Sequence, residues 1–112
     1  MFPQEPSVPQ TSVDEVRQVI DAKEDLILLD VRTEGEVNRG KLESSINIPI
    51  DQIPAKVESV LADKNAKIVV YCLSGSRSVF AVDFMQKLGY KTVLNMTNGI
   101  LAWRAKGYPT VV

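Results

Sequence analysis

An α/β fold, with a mostly parallel sheet covered on both faces, is predicted by three features of this 112-residue chain. Short apolar runs such as Leu26-Ile27-Leu28-Leu29 and Ile68-Val69-Val70-Tyr71 are too brief for helices, and they lack the polar alternation of a strand with one wet face. Segments of helical apolar spacing lie between them. The intervals leave room for right-handed crossover helices joining parallel strands.

Each element follows from local chemistry. Residues 1–10 carry Pro3, Pro6 and Pro9 and few core-forming side chains, so an extended arm is expected there, ending in a short edge strand and carrying no chemistry. The folded domain is expected from residue 11 to 112. Ser12 and Glu15 have capping-box spacing, and Val13, Val16, Val19 and Ile20 make one stripe, which predicts a helix from Val13 to Ala22. The run Leu26 to Val31 is the expected central strand. Thr33 and Glu36 form a second capping box for a short helix that Gly40 stops. A short strand, Ile46-Asn47-Ile48, precedes a helix opened by Asp51 and Pro54, with Ile53, Val57, Val60 and Leu61 as its buried face. After the strand at Ile68–Tyr71, a helix carries Val79, Val82, Phe84, Met85 and Leu88 and ends at Gly89. Tyr90 to Met96 reads as the last strand. Thr97-Asn98-Gly99 opens a final helix that carries Ile100, Leu101 and Trp103 and closes at Gly107. Thr110-Val111-Val112 carries little signal.

Composition excludes several functions. Hydrophobic content of 45% with 24% charge places the chain among ordinary globular domains, and its length suits one of them. Thirteen basic and 14 acidic residues nearly cancel, so no field is expected for nucleic acid or an anionic membrane, and any anion site must be local. No apolar run approaches the roughly 20 residues of a membrane span, and no secretory leader is legible, so the expected location is cytoplasmic. The chain has no histidine and one cysteine, which removes Cys-His and Ser-His catalysis, an internal disulfide, and the usual His or thiolate sets for metals.

Chemistry concentrates where the run Ile68–Tyr71 reaches Cys72 and breaks into Leu73-Ser74-Gly75-Ser76-Arg77-Ser78. Strand, tight loop and helix in that order place a cysteine beside unpaired amides and the positive end of a helix dipole. Its side chain is expected to be partly exposed and unusually acidic. Acidity alone achieves little: lowering a thiol pKa from about 8.5 to about 6.5 raises the thiolate fraction about 25-fold, but lost nucleophilicity removes about eightfold. The larger contribution is expected from loop N–H groups and Arg77 holding an anion and stabilising the group that departs, with Gly75 letting the backbone curl and Ser74 and Ser76 adding hydroxyl donors. A thiolate needs no external base.

Four motifs together resemble the rhodanese-like single-domain sulfurtransferases, from Thr11 to Pro109. They are Asp30-Val31-Arg32, Ile46-Asn47-Ile48-Pro49, the loop from Cys72 to Arg77, and Asn98-Gly99-Ile100-Leu101-Ala102-Trp103 running to Gly107-Tyr108-Pro109. The resemblance implies a three-layer α/β/α sandwich around a mostly parallel five-stranded sheet. It implies that Cys72 carries a persulfide while sulfane sulfur passes from a small anionic donor such as thiosulfate to a thiophilic acceptor. Leu73 to Ser78 would bind the substrate, with no cofactor, and a sulfur-relay protein is a candidate partner. The chain departs from the family pattern at Gly40-Lys41-Leu42-Glu43-Ser44-Ser45, where Lys41 replaces a histidine, and at Val37, which replaces an aromatic residue. Both changes concern the rim of the site.

Plainer roles compete with these. A lone cysteine is commonly a small buried hydrophobe, and Arg77 can equally cap a helix or pair on the surface. Asp30 and Arg32 read as a structural ion pair, Trp103 as support for the last helix, and Lys41 as a solvated side chain that adds charge at the mouth of the site. Two other functions share the motif of cysteine, loop and arginine. A phosphatase or arsenate reductase has five residues between cysteine and arginine, whereas four separate Cys72 from Arg77. A carrier or regulatory module that takes sulfur from a protein partner would keep Cys72 intact.

Overall fold

The computed structural model describes residues 4–112, so the start of the expected arm, including Pro3, lies outside the described residues. In chain order the elements are β1 (Gln10–Thr11), α1 (Val13–Asp21), β2 (Ile27–Asp30), α2 (Glu34–Val37), β3 (Ile46–Asn47), α3 (Ile53–Val60), β4 (Lys67–Tyr71), α4 (Ser76–Lys87), β5 (Thr92–Met96) and α5 (Gly99–Ala105). A 3₁₀ turn at Ile50–Gln52 leads into α3. The strands form one five-stranded sheet, ordered β1-β5-β4-β2-β3, and all four pairings are parallel.

The period of two along the strands sorts the core into two layers. Ile68, Val70 and Cys72 pack on the face that also takes Leu29, Val31, Ile53, Val57, Val79, Val82 and Met85, under α3 and α4. Val69 and Tyr71 point the other way, toward Val13, Val16, Ile100 and Trp103 of α1 and α5. A strand flanked on both faces must be apolar at every position, which is why β4 reads as a continuous run. The result is the expected three-layer α/β sandwich.

Chain order reverses between β2 and β4. From β2 the chain steps outward to β3, then returns to place β4 on the other side of β2 before continuing to β5. Crossovers leave in opposite directions at such a point, so a crevice opens beyond the carboxyl ends of the two strands. Asp30 closes β2, and Cys72 follows β4.

Both capping boxes form: Ser12 and Glu15 exchange hydrogen bonds at the start of α1, as do Thr33 and Glu36 at the start of α2. Some expectations are corrected. Val60 is 47% exposed, because the four-residue spacing of Ile53, Val57 and Leu61 sets the inward direction and leaves Val60 on its flank. Tyr90 precedes the last strand, with its hydroxyl donating to the backbone at Leu61. The arm contributes to the fold: Val8 joins the core, and the carbonyl of Pro9 accepts from the amide of Asn95 at 2.9 Å. Lys41 is half-buried, its backbone pairs with Val111 at 2.8 Å in both directions, and Nζ lies 3.4 Å from the carbonyl of Ser45. The C-terminal tail is thereby fastened beside the sheet.

Candidate active site

The nucleophile candidate is fully buried. Cys72 has 0% exposure, against the partial exposure expected, because the strand's alternation turns its side chain inward with Val70, and the first turns of α4 cover it. The amide of Gly75 donates to Sγ at 3.1 Å, and the Ser78 hydroxyl lies 3.3 Å away. Burial pushes the thiol pKa up, but hydrogen bonds from the Ser78 hydroxyl and from the amides of Ser78, Gly75 and Ser74 outweigh it, and the net shift is downward. The expected acidity therefore comes from donors, without solvent access.

Two glycines hold the loop in this shape. Gly75 has φ +102° and starts α4 without any side-chain cap, so the first-turn amides face the loop interior. Gly99, at φ +59°, lets α5 come close: a Cβ there would lie 2.5 Å from the carbonyl oxygens of both Cys72 and Leu73. Those carbonyls instead accept from the amides of Ile100 at 3.0 Å and Leu101 at 3.1 Å. Carbonyls of the loop are thus drawn toward α5, while amides of the loop gather at the sulfur.

A polar chain continues behind Ser78. Its hydroxyl hydrogen-bonds the side-chain oxygen of Asn95, which is 2% exposed. The Asn95 amide nitrogen donates to the side chain of Gln10 at 2.9 Å, and the Thr97 hydroxyl reaches the same Gln10 oxygen at 2.9 Å. A cleft of about 290 Å³ opens beside them, walled by Glu5, Ser74, Gly75, Ser76 and Asn98 among others.

Across the crevice, two ion pairs fix the mouth. Arg32 and Asp30 are both essentially unexposed, with Nη2 2.7 Å from Oδ2 and Nε 3.0 Å from Oδ1, and Nη2 also donates to the carbonyl of Gly40 at 2.8 Å. Burial disfavours the charge on Arg32, but its hydrogen bonds to Asp30 prevail and raise its pKa. The Asn47 amide donates to the carbonyls of Asp30 and Arg32, both at 2.9 Å, tying β3 to the same corner. Arg77 points its fork at Glu36, with Nη1–Oε1 at 2.7 Å and Nη2–Oε2 at 2.8 Å. The Arg77 guanidinium holds the Glu36 carboxyl down at about 2.

The seven residues singled out around the loop are not equivalent. Leu73 is 37% exposed and lines a cleft of about 180 Å³ with Arg32, Glu36, Arg39 and Arg104. Ser74 and Ser76 are exposed on the opposite cleft, while Gly75 and Ser78 are buried. Sequence reasoning missed Asn95 and Gln10, although a polar residue within Val93-Leu94-Asn95-Met96 was a signal, because a buried strand rarely carries an amide without a partner. It also missed Arg39 and Arg104, which only tertiary folding brings together. Among the described residues neither enters an ion pair.

Known proteins are similar to this chain in sequence and fold. The family model for the Rhodanese-like domain matches residues 12–106. A sulfurtransferase of Allochromatium vinosum is 36% identical over 88 residues, covering 79% of this chain and 80% of its own. A putative sulfurtransferase of Bacillus subtilis is 33% identical over 102 residues, covering 91% of this chain and 96% of its own. Among solved structures, a rhodanese-related protein from Thermoplasma volcanium superposes with a TM-score of 0.82 at 32% identity, covering 93% of this chain and 98% of that one. With the family model matching residues 12–106 and these relatives more than 30% identical, the chain belongs to the rhodanese-like domain family, and the two relatives above are named a sulfurtransferase and a putative sulfurtransferase.

Proposed function

We propose that the protein transfers sulfane sulfur from a small anionic donor of the thiosulfate type to a thiophilic acceptor through a persulfide on Cys72. One observation carries this reading: a buried sulfur surrounded by amide and hydroxyl donors, which suits an anion at that atom and a second anion beside it. The Cys72 thiolate attacks the outer sulfur of thiosulfate, the S–S bond breaks, and sulfite leaves with the bonding pair. A nucleophile such as cyanide then takes the terminal sulfur, and the thiolate returns.

The residues divide the work. First-turn amides of α4 hold the charge that develops on the persulfide and on departing sulfite. Arg77, whose two terminal nitrogens are committed to Glu36, orders the mouth by joining α4 to α2, leaving direct anion binding to the amides. Arg39 and Arg104, beside Leu73, supply positive potential where an anionic donor enters. The short loop argues against oxyanion hydrolysis, since four residues between Cys72 and Arg77 give a tighter cradle than a phosphatase signature.

Two assays test the reading side by side. Thiosulfate with cyanide should yield thiocyanate that disappears in Cys72→Ser, and aryl phosphates should not turn over. Phosphate hydrolysis with no cyanide-dependent thiocyanate would replace this reading with the phosphatase one.

A further inference from the structure

We propose that Asn95 is a positioning residue for the Cys72 anion, acting through the Ser78 hydroxyl, and that the side-chain amides of Asn95 and Gln10 reverse together when Cys72 changes between thiol and anion. The proposal rests on Cys72 being used as an anion, and on an observed line of contacts: Cys72 to Ser78 at 3.3 Å, Ser78 to Asn95, and Asn95 to Gln10 at 2.9 Å.

Proton counting requires the reversal. Ser78 has one hydroxyl proton for two neighbours, Sγ and the Asn95 side chain. In the thiol form the S–H donates to Ser78 Oγ, Ser78 donates to Asn95 Oδ1, and Asn95 Nδ2 donates to Gln10 Oε1, which also accepts from Thr97. The structure records Ser78 donating to Asn95 Oδ1 and Asn95 Nδ2 donating to Gln10 Oε1, and the Cys72–Ser78 contact admits either atom as the donor. A sulfur anion has no proton to give, so it holds Ser78 only if the Ser78 proton turns toward it. Asn95 Oδ1 would then lose its donor in a fully buried place, at a cost the site avoids if the amide turns over. After that turn Nδ2 donates to Ser78 Oγ, and Oδ1 accepts from Gln10 Nε2, whose second proton reaches Thr97 Oγ1. Every polar atom is satisfied in both arrangements.

The molecule makes this exchange easy. Amide oxygen and nitrogen are nearly equal in size, so packing around Asn95 is unchanged by a half-turn of its terminal torsion. Gln10 lies exposed on the edge strand β1, where its own half-turn meets solvent. An apolar residue would suit that β5 position better unless its hydrogen-bonding capacity were used. Charged groups facing this end of the sheet are Arg77 with Glu36, Arg32 with Asp30, Arg39 and Arg104 beside Leu73, and Glu5 on the arm side of the cleft.

The test reads Cys72 ionisation and uses no sulfur donor, so its failure is distinct from a failure of sulfur transfer. The rate of Cys72 alkylation by iodoacetamide is measured against pH for the native chain, Asn95→Asp and Gln10→Glu, each with Ser78 and in a Ser78→Ala background. A carboxylate only accepts, so it holds the Ser78 proton away from sulfur. Asn95→Asp should raise the midpoint by about one pH unit more with Ser78 present than without it, on the order of one hydrogen bond to a charged group. Gln10→Glu, at an exposed site that folding tolerates, should give a smaller shift in the same direction that vanishes in Ser78→Ala. In the native chain, the ¹⁵N-labelled side-chain resonances of Asn95 and Gln10 should move with the Cys72 titration. Shifts equal in both backgrounds would reduce the effect to added charge and overturn the proposal, as would amide resonances that stay fixed while Cys72 ionises.

Discussion

Asp30, which closes β2, and Cys72, which follows β4, stand at the carboxyl ends of adjacent strands, equally buried and opposite in how their charge is met. Around Asp30 the account is closed: Arg32 supplies a full counter-charge, Gly40 takes a remaining guanidinium proton, and Asn47 pins the backbone. Around Cys72 it is open, with donors from Gly75, Ser74 and Ser78 and, among the described residues, no cationic side chain hydrogen-bonded to the sulfur. Nearby Arg77 is itself neutralised by Glu36. A buried pair that satisfies itself builds structure, whereas a cluster of oriented dipoles without a resident counter-charge is poised to receive an anion.

Substitutions can break this contrast in order of size. Asp30→Ala leaves Arg32 buried without its partner and should cost about 3–5 kcal/mol in urea unfolding, while replacing both residues with apolar ones should recover much of the loss. Gly99→Ala forces a Cβ to within 2.5 Å of two loop carbonyls at φ +59°. It should cost about 1–3 kcal/mol from backbone strain alone, and should raise the Cys72 alkylation midpoint because the amide row moves with the carbonyls. Glu36→Gln should cost about 1 kcal/mol at neutral pH, since the pair is only half-buried.

That third effect has a pH signature. Glu36 sits at about 2, below its ordinary 4.5, so its contribution is fully present above about 4.5 and is lost as pH falls toward 2. Glu36→Gln should flatten that part of the acid-unfolding curve. The smallest stability change, within about 1 kcal/mol, is expected for Cys72→Ser, whose hydroxyl can accept the same amides, although sulfur loading should disappear entirely.

Much of the closed corner was legible in the sequence. Asp30 and Arg32 flank one residue at the end of an apolar run, and the spacing Thr33 to Glu36 announces the short helix that follows. Cys72 and Gly75 were legible for the same reason: strand, loop and helix are local patterns. What stayed hidden depends on long-range placement. Glu36 was visible as a capping residue, but its grip on Arg77 spans 41 positions, and Gln10 reaches Asn95 across 85. The burial of Cys72 followed from strand alternation, yet its placement in a loop suggested exposure. Arg39 and Arg104 share a cleft only because α5 returns beside Gly40.

The open site is tested most directly by intact mass of the native protein after incubation with thiosulfate and removal of the excess. One added sulfur per chain is expected, lost on treatment with cyanide and absent in Cys72→Ser. An unchanged mass, or an adduct that persists in Cys72→Ser, would contradict the claim that the donors around Cys72 are arranged to hold a sulfur anion.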